Sequence, residues 1–215
     1  MDPLRDVPLG VGSAIEPAAC SDWRARLPVL AASEVVLREL RRSDAAALYA
    51  ALTTEEVSRF ISPPPTTIDG FERFIEWTHA QRAAGVSVCF AVTIRGFDTP
   101  IGLFQVRARE LDFSIAEWGF AIASPFWGTG VFPASAQLVM TFVFETLEAT
   151  RLEARAVVAN GRGRGALLKV GAVKEGVLRR SFRRDAEVYD QILFTILAED
   201  WRARRAHAGL SASIN

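Results

Sequence analysis

The sequence predicts an α+β fold, one mixed β-sheet covered by helices, and three observations lead there. Residues 86–94, 99–108 and 113–122 are apolar runs rich in β-branched and aromatic side chains, joined by short turns, which read as an antiparallel meander. Residues 151–158 (RLEARAVV) form a further strand reached only through a long apolar helix, so this strand is expected to lie parallel to residues 117–122. Helical and strand stretches follow one another in the order β-α-α-β-β-β-α-β-α-β-β.

Residues 1–33 are rich in Pro, Ala and Gly and have weak periodicity. They read as an N-terminal arm, irregular or partly disordered, with Trp23 and the apolar run 27–30 as anchors. The domain proper is expected over residues 34–205, with 206–215 as a tail. Residues 34–40 (EVVLREL) alternate as a first strand. Ser43 and Asp44 are placed to cap a helix in which Ala47, Leu48, Ala51 and Leu52 share a face. A short second piece over 55–60 ends at the proline run 63–65. Residues 67–84 make an amphipathic helix with Phe71, Phe74, Ile75, Trp77 and Thr78 on or near one face, stopped by Gly85. After the meander come a helix over 133–147, a strand over 151–158 and a short helix over 160–170 closed by Gly171. A last hairpin spans 173–182 and 186–197, and a frayed charged segment covers 200–205.

Composition excludes several classes of function. The 215 residues suit one domain, half of them are hydrophobic, and 25 basic residues balance 25 acidic ones, so no global field favours nucleic acid or an anionic membrane. Arginine dominates the basic residues, Lys169 and Lys174 being the only lysines, and reads as a compositional habit. Two cysteines, Cys20 and Cys89, make no disulfide framework or zinc site, and Cys89 in an apolar strand reads as a buried thiol. His79 and His207 lack metal-ligand spacing, so no metal is expected. No apolar run approaches the ~20 residues of a membrane helix. The first residues, with Asp2, Arg5 and Asp6, lack a secretory pattern. A soluble, cytoplasmic protein is expected.

The stretch 117–147, EWGFAIASPFWGTGVFPASAQLVMTFVFETL, carries the chemistry. It reads as a buried strand, a turn with Gly128 and Gly130 two apart, and a helix with Pro133 in its first turn. A helix that opens just after such a turn points unpaired N–H groups and the positive end of its dipole into it, which is an anion site, most often for phosphate. A dinucleotide fold wants a third glycine and an acidic residue at the end of the next strand. Here Val131-Phe132-Pro133 follows Gly130, and the next strand ends Val157-Val158-Ala159-Asn160. Both departures argue against a dinucleotide and leave the pyrophosphate of coenzyme A as the other candidate to be weighed.

At these residues the sequence resembles the GNAT superfamily of acyl-CoA N-acyltransferases, most of all the branch of the RimJ/RimL enzymes, which acetylate ribosomal-protein N termini. Three blocks carry the resemblance between about residues 35 and 201. Glu117-Trp118-Gly119-Phe120 with Phe126-Trp127-Gly128-Thr129-Gly130 matches the family's strand and phosphate turn. NGRGRGALLKVG, from Asn160 to Gly171, matches its N-x-x-S-x-x-x-x-x-K-x-G in spacing. Glu175-Gly176-Val177-Leu178-Arg179 matches E-G-x-x-R, with Tyr189-Asp190 in the paired strand. The departures are Leu167 and Gly163, where the family often has a Tyr or Ser acid, together with Pro133-Ala134 for Thr-Glu and Ala172 for an aromatic.

The resemblance implies a GNAT fold of αβα layers: a central mixed, mostly antiparallel sheet splayed between two parallel strands, with helices on both faces. It implies acetyl-CoA as co-substrate and an amine acceptor, either a protein N terminus or a small amine, attacking directly in a ternary complex. Backbone groups of Phe120, Ala121 and Ile122 would bind the pantetheine arm. The turn from Trp127 through Gly128, Thr129, Gly130 and Val131 to Phe132 would hold the pyrophosphate, with Asn160 on the cofactor and Arg164 on its ribose phosphate. Glu117 is the candidate base, because an ammonium must lose a proton before it can attack. Read alone, Glu117 is equally a structural carboxylate held by backbone or Arg, and Asn160 a helix cap. Arg179, Arg180, Arg183 and Arg184 read as a solvated hairpin tip, or as a clamp on an acidic substrate. The other class of reading is a non-catalytic acyl-CoA sensor or scaffold, and the chain is expected to be a monomer or homodimer.

Overall fold

Among residues 22–212, which the computed structural model describes, eight strands form one sheet in the order β1-β2-β3-β4-β5-β6-β8-β7. They are β1 (Leu30–Ala32), β2 (Val35–Glu39), β3 (Ser87–Ile94), β4 (Phe97–Ala108), β5 (Ile115–Ile122), β6 (Arg151–Val157), β7 (Val173–Arg184) and β8 (Glu187–Leu197). Neighbours are antiparallel except β5 and β6, which run parallel as the helical crossover between them requires. The helices are α1 (Ala45–Leu52), α2 (Glu55–Ser58), α3 (Ile68–Ala83), α4 (Val131–Thr141), α5 (Gly161–Lys169) and α6 (Ala198–Ala212).

Strand alternation divides the core between the two faces of the sheet. Val88, Phe90, Phe104, Val106 and Trp118 pack with Val139 and Met140 of α4. Cys89, Ala91 and Ala121 face the other way, against Leu48 of α1 and Phe71 and Ile75 of α3. Helices therefore cover both faces, and Cys89 is the buried thiol expected, its pKa pushed up by burial.

The structure departs from the sequence reading at four places. Inside the arm expected over 1–33, Leu30–Ala32 is a strand paired with β2, and Leu27 is buried in the core. Residues 1–21 of that arm, and 213–215 of the expected tail, lie outside the described residues. Asp44 does not cap α1 with its side chain; its buried carboxylate takes Arg38 Nη1 at 2.7 Å and Nη2 at 2.9 Å instead. The helix after the glycine turn begins at Val131, and its last turn, Phe142–Thr146, widens to π-type bonding. Finally, the segment read as frayed from residue 200 is part of α6. Ala and Arg favour the helix, Glu199 and Asp200 suit its N-terminal dipole, and Trp201 anchors it on Phe144 at a ring separation of 5.1 Å.

Candidate active site

β5 and β6 pair only at Ile115↔Arg151, Ala116↔Leu152 and Glu117↔Glu153. Past Glu117 they part, although β5 stays paired with β4 as far as Ile122 and β6 with β8 as far as Val157. β5 is held on its own side of the fork by packed rings: the Phe120 ring lies 4.5 Å from that of Phe132, tilted against it, and is stacked on Phe104 at 5.4 Å. Its backbone groups facing β6 beyond residue 117 thus have no strand partner, an edge open to pairing with amides of a ligand. One of the three residues expected to pair there is partly engaged, since the Ile122 carbonyl accepts the Trp127 indole N–H at 2.7 Å.

The fork opens into a cleft of about 1320 Å³. Its walls are residues 117–121 of β5, 154–156 of β6, the loop 60–65 between α2 and α3, and residues 177–179, 181 and 182 of β7. Asn160, Gly163 and Leu167 line one end.

At the far end of β5 stands the glycine turn. Gly128 and Gly130 adopt φ of 79° and 90°, left-handed values that glycine takes without a Cβ penalty. Gly130 is the N-cap of α4 and provides no side-chain cap, so the first N–H groups of the helix are unpaired within it. A Cβ built on either glycine meets nothing within 4 Å: the space in front of the turn is open. Thr129 Oγ1 donates to the Phe126 carbonyl at 2.8 Å, and Arg162 lies over the Trp127 ring at 4.3 Å, so both side chains brace the turn. Asn160 Oδ1 accepts the Gly163 N–H at 2.8 Å, the cap anticipated for α5, and a Cβ at 163 would strike Asn160 Nδ2 at 2.6 Å. Arg164 is not part of the cleft wall, but its Nε is buried with no hydrogen-bond partner, an unspent donor beside the N-terminus of α5. Open turn, unpaired strand edge and orphaned guanidinium N–H together suit a ligand with a long amide-bearing arm and an anionic end.

Glu117 sits at the fork, 15% exposed, and lines the cleft. Its Oε2 accepts from Arg155 Nη1 at 2.6 Å and Arg107 Nη2 at 3.4 Å, with Arg109 Nη1 at 3.7 Å, whereas Oε1 makes no hydrogen bond among the described residues. The pairing continues through Glu153 to Arg151 at 2.9 Å and from Arg151 to Glu175 at 2.5 Å. Hydrogen bonds from Arg151, then from Thr195, hold the Glu175 carboxyl well below its usual range, at about 2. Sequence reasoning named Glu117 but not its arginines. A signal was present, because Arg151, Glu153 and Arg155 alternate along one face of a strand whose other face is apolar. Among the described residues no group of three or more His, Cys, Asp or Glu could hold a metal, and no helix is long and apolar enough to cross a membrane.

A parted parallel strand pair beside a glycine turn, with a carboxylate at the fork, is the site plan of an acyltransferase that uses a coenzyme A thioester. The family model for the acetyltransferase (GNAT) domain matches residues 34–173, and the chain belongs to that family. It is a GNAT-family N-acetyltransferase. It is 25% identical over 175 residues to the uncharacterized N-acetyltransferase YoaA of Bacillus subtilis (strain 168), covering 79% of this chain and 97% of YoaA. Its fold is similar to that of Mycobacterium smegmatis RimJ in complex with CoA-disulfide, with a TM-score of 0.72 and 22% identity over 81% of this chain and 89% of that one. It is also similar to the ribosomal-protein-S5-alanine acetyltransferase of Vibrio fischeri, with a TM-score of 0.71 and 17% identity over 81% and 98% of the two chains.

Proposed function

We propose that the protein transfers an acetyl group from acetyl-CoA to a primary amine held in the same cleft, in one direct step. The observation that carries this reading is the fork: the free edge of β5 runs from Glu117 to the glycine turn, joining a candidate base to a candidate anion site. Acetyl-CoA supplies an activated thioester. The amine nitrogen forms the new C–N bond, the C–S bond breaks, coenzyme A leaves as its thiolate, and the second proton shed by the nitrogen passes to that thiolate or to solvent. The amine's own proton goes to Glu117, directly or through water, and Oε1 is the oxygen that its arginines leave without a hydrogen bond. Phe120 and Ala121 offer backbone groups to the pantetheine arm. The N–H groups from Gly128 to Phe132 take the pyrophosphate, against the wall formed by Trp127 and Thr129, with Asn160 and Arg164 flanking it. A backbone N–H near Ala121 meets the oxygen that gains charge, a contact typically worth about 2.7–4 kcal/mol. Leu167 and Gly163 supply no acid, and a thiol, with a pKa of about 8.5, leaves without one more readily than an alcohol would.

The acceptor is a protein N terminus or a small amine. The fold likeness to RimJ and to the S5-alanine enzyme supports the first. The second reading, an acyl-CoA-binding module without turnover, rests on Leu167 and Gly163 at the acid positions. CoA release with acetyl-CoA and a panel of amines separates the two: turnover of any acceptor supports transfer, and tight acetyl-CoA binding with none turned over removes it.

A further inference from the structure

On the wall of the cleft opposite β5, the β7–β8 ladder is interrupted. Leu178 pairs with Gln191 and Phe182 with Tyr189, so residues 179–181 stand opposite Asp190 alone. Bulges of this kind re-aim side chains and are enriched next to active sites. This one is held in place from three sides. Arg180 takes a φ of 51°, rare for a residue with a Cβ, and its N–H donates to Asp190 Oδ1 at 2.7 Å. Ser181 Oγ lies 2.9 Å from the Leu178 carbonyl and 3.0 Å from Gln191 Oε1. The result is that Arg179, Ser181 and Gln191 line the same cleft as Glu117.

The charge balance there is asymmetric. The charged residues of the cleft wall are Arg107, Glu117, Arg155 and Arg179. Arg107 and Arg155 both engage the one carboxylate, Glu117. Arg179 pairs with no carboxylate among the described residues, so a planar fork of donors faces the cleft beside a hydroxyl and an amide. A polycationic amine meets three guanidiniums and no second carboxylate. An amine that carries a carboxylate meets a ready partner.

We infer that this bulge is an anion subsite for the acceptor, in which Arg179, flanked by Ser181 and Gln191, takes a carboxylate carried by the amine substrate. The inference rests on the acetyl-transfer reading above. The carboxylate has two possible sources, the α-carboxylate of a free amino acid or an acidic side chain close to a polypeptide N terminus. Phe60, Ile61 and Phe182 on the same wall favour an apolar group beside it.

The test uses matched acceptors: phenylalanine against phenylalaninamide, and a short peptide beginning Ala-Glu against one beginning Ala-Gln, with spermidine as the polycation. At least a tenfold preference in kcat/KM for the acidic member of one pair is expected, and which pair shows it identifies the source. Arg179→Ala brings that ratio close to one, and Arg179→Glu inverts it. Equal rates within both pairs for the natural protein, or a ratio unchanged in Arg179→Ala, overturns the subsite. Calorimetry of the same acceptors in the presence of CoA reads the subsite without turnover. A preference in binding that Arg179→Ala removes upholds it even where no amine is acetylated, and that outcome counts against acetyl transfer instead. Equal affinities of both members of each pair overturn the subsite.

Discussion

Arg155 Nη1 lies 2.6 Å from Glu117 Oε2, across the point where β5 and β6 stop pairing. Arg155 belongs to the strand that departs and Glu117 to the strand that stays, so the ion pair bridges the mouth of the fork. It also fixes which carboxylate oxygen is occupied: Oε2 accepts from Arg155 and Arg107, and under the proposed mechanism Oε1 is the oxygen that would take the acceptor's proton.

Replacing Glu117 with Gln keeps the shape of the fork and removes the proton acceptor. A fall in kcat/KM of about 10²-fold is expected near neutral pH, the lower end for a general base. The deficit should shrink as pH rises past the acceptor's own ammonium pKa, where the free amine needs no base. A pH–rate profile parallel to that of the unmodified protein, merely displaced downward, would remove Glu117 as the base. Arg155→Ala should leave Glu117 at the fork but poorly oriented, and lose about 1.5–3 kcal/mol of stability, as expected for a charged hydrogen bond.

At the other end of β5, Gly130→Ala separates backbone strain from ligand space. The φ of 90° places an alanine in a left-handed conformation costing about 1–2 kcal/mol, visible as a lower midpoint in urea. The added Cβ meets no protein atom within 4 Å, so it projects into the space assigned to the pyrophosphate. Acetyl-CoA affinity by calorimetry should fall at least tenfold, or about 1.4 kcal/mol. An unchanged Kd in a folded variant would move the anion site elsewhere.

The parts of this molecule legible in the sequence are those whose cause is local. Gly128 and Gly130 announce their turn because few other residues accept those φ values, and Asn160 announces its helix because it accepts an N–H three residues on. The parallel placement of β6 follows from the helix that precedes it. What was hidden depends on register or on distant partners. β1 is three residues long, too short to show a period, and exists because β2 pairs with it. Asp44 looks like a cap until Arg38 claims it. Trp77 falls on the apolar stripe of α3 yet is 46% exposed. The arginines around Glu117 come from β4, the turn just after it, and β6, and the aim of Arg179 comes from a bulge that only the pairing of β7 with β8 reveals.

Glu175 joins β7 to the charged chain that ends at Glu117, and its pKa makes a pH-dependent statement. The ordinary value of 4.5 falls to about 2 when Arg151 and Thr195 donate to it. A carboxylate depressed on folding contributes stability that is present above the unfolded value and lost as pH falls toward the folded one. The natural protein should therefore exceed Glu175→Gln in stability at pH 7, and the gap should close between about pH 4.5 and 2. Urea titrations of both proteins across that range test this. A gap that persists undiminished at the acid end would mean that the Glu175–Arg151 contact, made at 2.5 Å, carries no charge-dependent stability.

The hairpin that carries Arg179 is itself tied across the cleft. Arg184 Nη1, near the tip of β7, donates to the carbonyls of Ser58 at 2.5 Å and Ile61 at 3.1 Å. Both carbonyls belong to the end of α2 and the start of the loop whose residues 60–65 wall the cleft. The loop's three consecutive prolines, Pro63 to Pro65, donate no backbone hydrogen bonds of their own, so its attachment relies on such outside donors. Arg184→Ala removes both bonds at once. Hydrogen exchange at residues 58–62 should accelerate, and the acceptor KM should rise several-fold as the wall loosens. Acetyl-CoA affinity should stay within about twofold, because among the described residues Arg184's polar partners are Ser58, Ile61 and Asp185, none of them in the glycine turn or β5. If exchange in the loop is unchanged, the bonds do not hold it. If acetyl-CoA affinity falls along with acceptor affinity, the two halves of the cleft are coupled through the hairpin rather than built independently on either side of the fork.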